Sequence, residues 1–476
     1  MEAKTTDIKF GTDGWRGLMA RDFTFENVRR VAQAVADYLR EESLKAPNRN
    51  KNPWSGPMVV GYDRRFQSES FAREIVKVLQ GNKLNAFLLS EPVPTPVVSL
   101  LTHRTKGLGL MVTASHNPPA YNGIKIKCAG SSASESLTRA IEACLDRSRP
   151  TRSTETKEKS VRKEYLQFLR SKVASQAIRS KLKRPVVVDY LYGSGAGLME
   201  EFLPPSKIIA IHSEHDPLFG GLNPEPVAEN LKELCARVKQ EKALIGIALD
   251  GDADRVGVVD ETGAYLTPCQ VFPLIVNYLV KHKKFKGKVV QTVSLGAISE
   301  RVAKACGMAF EEVPVGFKFV AERLASGEAV VGGEESGGYA WKGGLPERDG
   351  LMTALLLIEM VAVTGRTPSQ LWKELETQHG ASYFKRSDFK LHKPVPDKAV
   401  FAAKLAKRLP KKLLGSDIQS LVQIDGLKIV LADGSWLLMR PSGTEPLMRT
   451  YAESNAPKRT VELLDLAKKW VAPALS

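Results

Sequence analysis

Apolar positions along the chain fall into two alternating patterns. Short uninterrupted runs, such as Met58-Val59-Val60-Gly61-Tyr62 and Leu108–Val112, predict buried strands. Between them, Phe71, Ile75, Val78 and Leu79 recur at helical spacing and predict a helix over 68–79. Val28, Val31, Val35, Tyr38 and Leu39 mark an earlier amphipathic helix with Thr24 as its N-cap. Further strands are expected at 185–190, 207–211, 243–249, 288–293 and 329–332. Alternation of this kind predicts an α/β protein with mixed, largely parallel sheets. Near the C-terminus the pattern changes. Residues 427–432, then Asp433-Gly434, then 435–439 read as an antiparallel hairpin closed by a two-residue turn.

A polar stretch at 150–160 and a basic, proline-containing stretch at 385–398 interrupt the alternation and read as boundaries. The division expected is three consecutive related α/β domains, 1–155, 156–262 and 263–380, and a smaller C-terminal α+β domain, 381–476. The length of 476 residues agrees with about three or four domains.

Composition narrows the class. Hydrophobic residues at 43% and charged residues at 26% exclude a disordered chain, a collagen-like repeat and a disulfide miniprotein. Lys plus Arg reach 69 against 53 Asp plus Glu, a net charge of +16, which favours anionic partners: nucleic acid, an acidic membrane or phosphorylated small molecules. The five cysteines, Cys128, Cys144, Cys235, Cys269 and Cys306, form no CxxC pair and are odd in number. Neither a zinc site nor a secreted disulfide framework is indicated, and free thiols in a reducing cytosol are expected. The N-terminus MEAKTTDIKF has no apolar signal core, and the greasiest stretch, 351–363, contains Glu359 and is too short to span a bilayer. The expectation is a soluble, cytoplasmic protein.

Four loops carry candidate chemistry. Thr113-Ala114-Ser115-His116-Asn117-Pro118-Pro119 follows a buried strand, and a serine beside a histidine there is a nucleophile, a phosphoryl carrier or an ordinary turn before proline. It is not a hydrolase elbow, because GxSxG is absent. Asp250-Gly251-Asp252-Ala253-Asp254-Arg255 places mutually repelling carboxylates at a strand end, where a hard cation such as Mg²⁺ would relieve them. An EF-hand is excluded, since Arg255 stands where that loop needs glycine and strands flank it; a solvated acidic turn is the plain alternative. Gly332-Gly333-Glu334-Glu335-Ser336-Gly337-Gly338 offers close backbone approach and polar groups for hydroxyls, or a bulge and turn. Arg440-Pro441-Ser442-Gly443-Thr444-Glu445-Pro446 has the makings of an anion nest, or of a simple turn. Gly193-Ser194-Gly195-Ala196-Gly197 has GxGxG rather than dinucleotide spacing and reads as a tight turn, and no P-loop is present.

Together the loops stop being weak signals. FGTDGWRG (Phe10 to Gly17), TASHNP, DGDADR, GEESGG and RPSGTEP occur in that order, about one per domain, and the chain closely resembles the α-D-phosphohexomutase superfamily, the phosphoglucomutase and phosphomannomutase group. The resemblance covers essentially the whole chain. It implies four domains around a central cleft, each contributing one motif loop. It implies a phosphoryl shift between O1 and O6 of a hexose phosphate, through a phosphoserine at Ser115 and a hexose 1,6-bisphosphate that is both intermediate and activator. One Mg²⁺ per site would lie on Asp250, Asp252, Asp254 and a phosphate oxygen at Ser115. Arg16, His116 and Lys125 would line the transfer site, with Arg16 and Lys125 sharing proton transfer and electrostatic work, and Arg255 would steady the phosphoserine. Glu334 and Ser336 would grip sugar hydroxyls, and Arg440, Ser442, Gly443 and Thr444 the phosphate that does not react. The chain departs from some bacterial mutases in carrying Gly338 where they have histidine.

Substrate choice rests on two details. Phe317-Lys318 resembles the aromatic–lysine pair of glucose mutases, and Glu335 stands where glucosamine enzymes have glutamine. Glucose phosphate, with mannose phosphate as a second substrate, is favoured over a phosphoglucosamine mutase. An aspartyl-phosphate phosphatase would want DxDx[TV] near the first strand, whereas Arg255 follows Asp254 in mid-chain. A nucleic-acid binder would interleave aromatics with its basic residues, and aromatics are only 7%. The partners expected are small sugar phosphates, with no nucleic acid and no membrane, for a monomer or homodimer.

Overall fold

A computed structural model describes residues 7–11, 13–45, 54–395, 397–442 and 446–474. The chain divides into two units, Met1–Leu266 with Ser336–Pro368, and Thr267–Glu335 with Ser369–Ser476.

The first unit holds two sheets. In one, the order is Trp15–Leu18, Tyr121–Cys128, Leu108–Val112, Met58–Tyr62, Ala86–Leu89 and Glu158–Lys159. The last four run parallel, and Tyr121–Cys128 returns antiparallel beside Leu108–Val112. Met58–Tyr62 and Leu108–Val112 are buried at every position, as strands covered on both faces must be. One covering layer is the helix Phe25–Lys45, whose Asn27 N donates to Thr24 Oγ1 at 3.2 Å, the expected cap. Its stripe Val28, Val31, Val35 and Leu39 shares a core with Phe71, Ile75 and Val78 of the helix Ser68–Gly81. Each such side chain contributes roughly 1.5–3 kcal/mol on burial.

The other sheet repeats the plan. Ile208–Ile211, Val186–Asp189 and Ile245–Leu249 run parallel, and Val256–Val259 returns antiparallel beside Ile245–Leu249. The Ser115 loop and the Asp250 loop therefore occupy the same topological place. Each joins the carboxyl end of a parallel strand to its antiparallel neighbour. The helix Gly350–Thr364 is apolar on all sides and accordingly buried from Gly350 to Ala362. Its Glu359 is buried and accepts from Ala174 N at 2.6 Å. Among the described residues no single helix is long and apolar enough to cross a membrane.

In the second unit Ala309–Val313, Lys288–Thr292 and Val331–Gly333 run parallel. The fourth sheet is antiparallel, in the order Tyr383–Lys390, Leu447–Ser454, Trp436–Pro441, Leu427–Leu431, Ser416–Val422 and Lys412–Leu413. Three mixed α/β sheets, each with adjacent parallel strands, and an antiparallel C-terminal sheet with helices agree with the expected fold class.

Three local expectations need correction. The stretch 385–398 is not a linker over its first half: Tyr383–Lys390 pairs with Leu447–Ser454 along its whole length. It reads as a linker because it is an edge strand, with only Phe384 and Phe389 half-buried. Glu158–Lys159, inside the polar stretch 150–160, is likewise an exposed edge strand beside Leu88 and Leu89. The C-terminal hairpin closes through Ala432, Asp433 and Gly434 rather than through Asp433-Gly434 alone, since Leu431 N donates to Ser435 O and Gly434 N to Leu431 O, both at 2.9 Å. Gly434 takes a positive φ of 80° there, and Asp433 Oδ1 accepts from Ser435 N at 3.0 Å, so the side chain supplies the turn bond.

Candidate active site

Ser115 is fully buried and has φ of +54°, in the left-handed region that a serine rarely adopts. Such strain costs of order 1–3 kcal/mol and persists only where the surroundings over-determine it. Here they do. Arg65, itself buried, donates from Nη2 to Ser115 O at 2.7 Å and Asn117 O at 2.6 Å, and from Nη1 to Pro118 O at 2.9 Å and Tyr121 O at 3.0 Å. Its Nε faces Asp63 Oδ2 at 3.2 Å, and its guanidinium lies 5.0 Å from the Phe219 ring centroid. Thr113 Oγ1 accepts from Ser115 N at 2.8 Å and donates to Asp63 Oδ2 at 2.6 Å. The turn is clamped from beneath, leaving the Ser115 hydroxyl to donate to Asp250 Oδ2 at 3.0 Å.

The Asp250 loop is clamped by its own first residue. Asp250 Oδ1 accepts from Asp254 N at 2.9 Å and Arg255 N at 3.0 Å. Asp252 Oδ2 accepts from Lys125 Nζ at 2.7 Å and from Thr95 Oγ1. Asp254 Oδ2 accepts from Lys125 Nζ at 2.9 Å and Arg348 Nη2 at 2.8 Å. Gly251 has to be glycine: a Cβ there would lie 2.6 Å from Ser115 O. The two loops touch backbone to backbone, and only a residue without a side chain fits between them.

The residues present fit a hard divalent cation. One carboxylate oxygen from each of Asp250, Asp252 and Asp254 lies within 4.8 Å of the others, and all three residues are fully buried. Asp252 Oδ1 and Asp254 Oδ1 are buried without a hydrogen-bond partner. Burial and the neighbouring Asp254 and Asp252 push the Asp250 carboxyl well above its ordinary range. Crowded, desolvated oxygen donors of this kind suit Mg²⁺ or Ca²⁺.

Around them lies a buried ionic network. Burial opposes the charge on Lys125, but Asp13, Asp252 and Asp254 outweigh it and hold its pKa above the usual lysine value. Asp13 Oδ2 lies 3.0 Å from Lys125 Nζ and 2.6 Å from Arg348 Nη2. Lys127 Nζ pairs with Glu347 Oε2 at 2.6 Å. Arg16 Nη1 donates to Asn117 Oδ1 at 2.6 Å. His116 Nδ1 is 3.4 Å from Ser115 Oγ, and burial, then Arg255, Arg16 and Lys125, hold its pKa well below that of a free imidazole. Arg255 Nε stands 3.8 Å from Asp254 Oδ1. The structure thus brings together Ser115, His116, Arg16, Lys125, Arg255 and the three aspartates. Sequence reasoning missed Arg65, Asp13, Thr95 and Arg348. Asp13 lies inside the FGTDGWRG motif, and Arg348 lies in the charged run that opens the most apolar helix, so both left a signal.

In the second unit, buried Glu334 follows the strand Val331–Gly333, and Glu335 Oε1 lies 3.6 Å from Arg386 Nη1. Ser336 begins the segment that belongs to the first unit, where Gly337 O accepts from Val256 N at 3.0 Å. Gly338 follows on that segment. Phe317 is buried at the start of the helix Phe317–Ala325, while Lys318 is half-buried with Nζ 5.0 Å from the Phe319 ring centroid. Arg440 Nε pairs with Asp425 Oδ2 at 2.6 Å, and Asp425 also takes Lys398 Nζ at 2.6 Å and Val315 N at 3.1 Å. Asp425, unread in the sequence, therefore ties Arg440 to the segment leading into Phe317 and Lys318. Ser442 is buried and its N donates to Leu447 O at 2.8 Å. Gly443 and Thr444 lie outside the described residues.

Comparison with known proteins gives a family match along nearly the whole chain. Four family models match in succession: phosphoglucomutase/phosphomannomutase alpha/beta/alpha domain I at 7–152, domain II at 163–263, domain III at 267–379 and the C-terminal domain at 392–467. A phosphoglucomutase/phosphomannomutase of Thermococcus kodakarensis is 31% identical, covering 98% of this chain and 99% of its own. A probable phosphoglucosamine mutase of Thermococcus gammatolerans is 32% identical, covering 98% of both. The crystal structure of a putative phosphomannomutase from Thermus thermophilus superimposes with a TM-score of 0.84 at 33% identity, over 98% of this chain and 99% of that one.

Proposed function

Since the chain belongs to the phosphoglucomutase/phosphomannomutase family and is an isomerase, an intramolecular phosphotransferase acting on small sugar phosphates, we propose that it interconverts α-D-glucose 1-phosphate and glucose 6-phosphate, and mannose 1- and 6-phosphate as well. The observation that carries the reading is the buried contact of Ser115 Oγ with Asp250 Oδ2 at 3.0 Å, on a loop held by Arg65.

In this reading phosphorylated Ser115 gives its phosphoryl group to the free hydroxyl of a hexose monophosphate: the Oγ–P bond breaks, a sugar O–P bond forms, and the hydroxyl proton ends on Ser115 Oγ, while Arg16 and a Lys125 held protonated by Asp13, Asp252 and Asp254 supply positive charge along its path. The hexose 1,6-bisphosphate turns end over end and returns its other phosphoryl group to Ser115. Phosphoryl transfer asks mainly for positioning and charge neutralisation. Asp250, Asp252, Asp254 and a phosphate oxygen at Ser115 would hold one Mg²⁺, which when bound neutralises charge on the transferring group. Lys125 and Arg255 add fixed positive charge, and His116 lies beside the serine. Glu334 and Ser336 grip sugar hydroxyls, Phe317 and Lys318 favour glucose, and Arg440, Ser442, Gly443 and Thr444 hold the phosphate that does not react.

Phosphoglucosamine mutase is the second reading, supported by the printed name of the Thermococcus gammatolerans relative. Glu335 and the Phe317-Lys318 pair support glucose instead. The deciding measurement is kcat/KM on glucose, mannose and glucosamine 1-phosphates. Glucose 1-phosphate should lead with mannose 1-phosphate second; a lead for glucosamine 1-phosphate replaces this reading by the other.

A further inference from the structure

Behind the Asp250 loop, within the first unit, lies a cavity of about 100 Å³ that the proposed reaction leaves unused. Val97, Leu198 and the Tyr165 ring give it an apolar floor, and Arg64, Arg162 and Glu91 stand in its wall. Ser194 also lines it; that residue is 4% exposed, and its Oγ has no hydrogen-bond partner.

The lining carries a net positive charge, two arginines against the single carboxylate of Glu91. Arg64 Nη1 donates to two backbone carbonyls, Ser213 O at 2.8 Å and Glu214 O at 3.2 Å. Arg162 Nη2 donates to Gly197 O at 2.7 Å and reaches a carboxylate only at 3.6 Å, at Glu201 Oε1. Carbonyls satisfy an N–H without cancelling its charge. Glu91 is the lone carboxylate in the lining, and it already accepts from Ser160 Oγ at 3.1 Å. Half-buried guanidinium groups beside an unsatisfied hydroxyl make a receptor for an anion with several acceptor oxygens. The volume falls below the roughly 300–1,000 Å³ of sites for drug-sized ligands. It suits a compact anion.

The same wall is wired to both catalytic loops. Pro94 lines the cavity, and the next residue, Thr95, donates from N to Asp252 O at 2.9 Å and from Oγ1 to Asp252 Oδ2. Ser194 N donates to Gly251 O at 3.0 Å. Tyr165 OH donates to Asp349 Oδ1 at 2.9 Å, and the neighbouring Arg348 holds Asp254 Oδ2 at 2.8 Å. Arg64 precedes Arg65, the clamp of the Ser115 turn.

We propose that this cavity is a regulatory anion site, in which a compact carboxylate or phosphate ester bridges Arg64 and Arg162, accepts from Ser194 Oγ and changes the affinity of the Asp250 loop for its cation. An effector that contacts these residues displaces the segments that hold Asp252, Gly251 and Asp254. Linkage then requires that cation and anion change each other's affinity by the same factor. The proposal does not depend on which sugar is the substrate.

The test is calorimetric titration of the whole protein with malonate and, separately, with inorganic phosphate, with and without Mg²⁺. Three proteins are compared: wild type, Arg162→Ala and Arg440→Ala. Arg162 is half-exposed and lies outside the transfer machinery, so its variant should fold and keep its basal turnover. The expected result is that at least one anion binds wild type and Arg440→Ala alike, and binds Arg162→Ala roughly 10- to 150-fold more weakly. The better-binding anion names the ligand class. Mg²⁺ affinity should shift when that anion saturates wild type and stay put in Arg162→Ala. Absence of binding by both anions, binding lost in Arg440→Ala rather than Arg162→Ala, or a Mg²⁺ affinity indifferent to the anion would overturn the proposal.

Discussion

The candidate site of the first unit and the cluster around Arg440 in the second are both ionic, but their local balance is opposite. In the first, the loop of Asp250, Asp252 and Asp254 carries three carboxylates against its own Arg255, and although Lys125 bridges two of them, Asp252 Oδ1 and Asp254 Oδ1 keep no hydrogen-bond partner, so the excess at the loop is of carboxylate oxygen. In the second, Asp425 alone is flanked by Arg440 and Lys398, so cations outnumber carboxylates. Desolvated charge must be matched by something. A carboxylate excess calls for a metal and a cation excess for a phosphate. The sign of the imbalance indicates what each region is built to receive, before any family resemblance is invoked.

The largest effect should come from Ser115→Ala. Turnover should fall by several orders of magnitude with the fold intact, because in the proposed reaction Ser115 carries the phosphoryl group. Near-wild-type rates from purified enzyme primed with hexose bisphosphate would remove Ser115 from the reaction. Chelation comes next. EDTA should abolish activity and Mg²⁺ restore it; full activity in metal-free enzyme would break the argument from carboxylate excess.

Arg65→Met probes the clamp. It leaves Asp63 buried beside no cation, a loss of roughly 3–5 kcal/mol in urea unfolding. It also frees Ser115 from its strained φ, so kcat per folded molecule should fall more than KM rises. An unchanged kcat at reduced stability would make Arg65 structural only.

Arg440→Ala tests the second region. In the proposed reaction the phosphate held there does not react, so its contacts would be alike in ground and transition states and their loss would appear mainly in KM. KM for glucose 1-phosphate should rise roughly 10- to 150-fold, the value of a charged hydrogen bond. A larger fall in kcat with KM unchanged would mean that this loop orients the reacting group.

The smallest effect comes from a partly buried pair outside both clusters. His212 Nδ1 lies 2.9 Å from Asp189 Oδ1 and Nε2 lies 3.2 Å from Glu233 Oε2, and the Asp189 bond, against burial, raises its pKa. A raised histidine stabilises the fold fully below its unfolded pKa of about 6.5 and loses that contribution as pH climbs through the higher folded value. His212→Ala should therefore lower the melting temperature slightly at acidic pH and leave it nearly unchanged at alkaline pH. A difference that grows with pH would contradict the assignment.

The chemistry of Ser115 and of the three aspartates was legible because each motif is local. A loop that must present several groups at one strand end keeps them adjacent in the chain. The groups that hold those loops left fainter marks. Arg65 lies 50 positions before Ser115, and Arg348 lies 94 positions after Asp254. Parallel pairing of Met58–Tyr62 with Leu108–Val112 brings Arg65 to its target, and the start of the helix Gly350–Thr364, whose Gly350 N donates to Ala253 O at 3.1 Å, brings Arg348; no spacing rule foretells either. Asp425 is likewise unremarkable in sequence, although it ties Arg440 to Val315. Polarity misled for the same reason at Tyr383–Lys390, where an edge strand exposes its side chains and so looks like a linker.

By itself, then, the sequence determined the order of α/β units, the loops that carry chemistry and the strands and helices of the first two sheets, because periodicity and motif chemistry act over a few residues. Tertiary structure alone decided that Ser115 is held at positive φ by a buried arginine, that Gly251 must lack a side chain to pass Ser115 O, and that Lys125 stands between Asp252 and Asp254. The first depends on two parallel strand ends meeting in one sheet and the other two on the first sheet meeting the loop of the second, and the energy of such a meeting belongs to residues far apart in the chain.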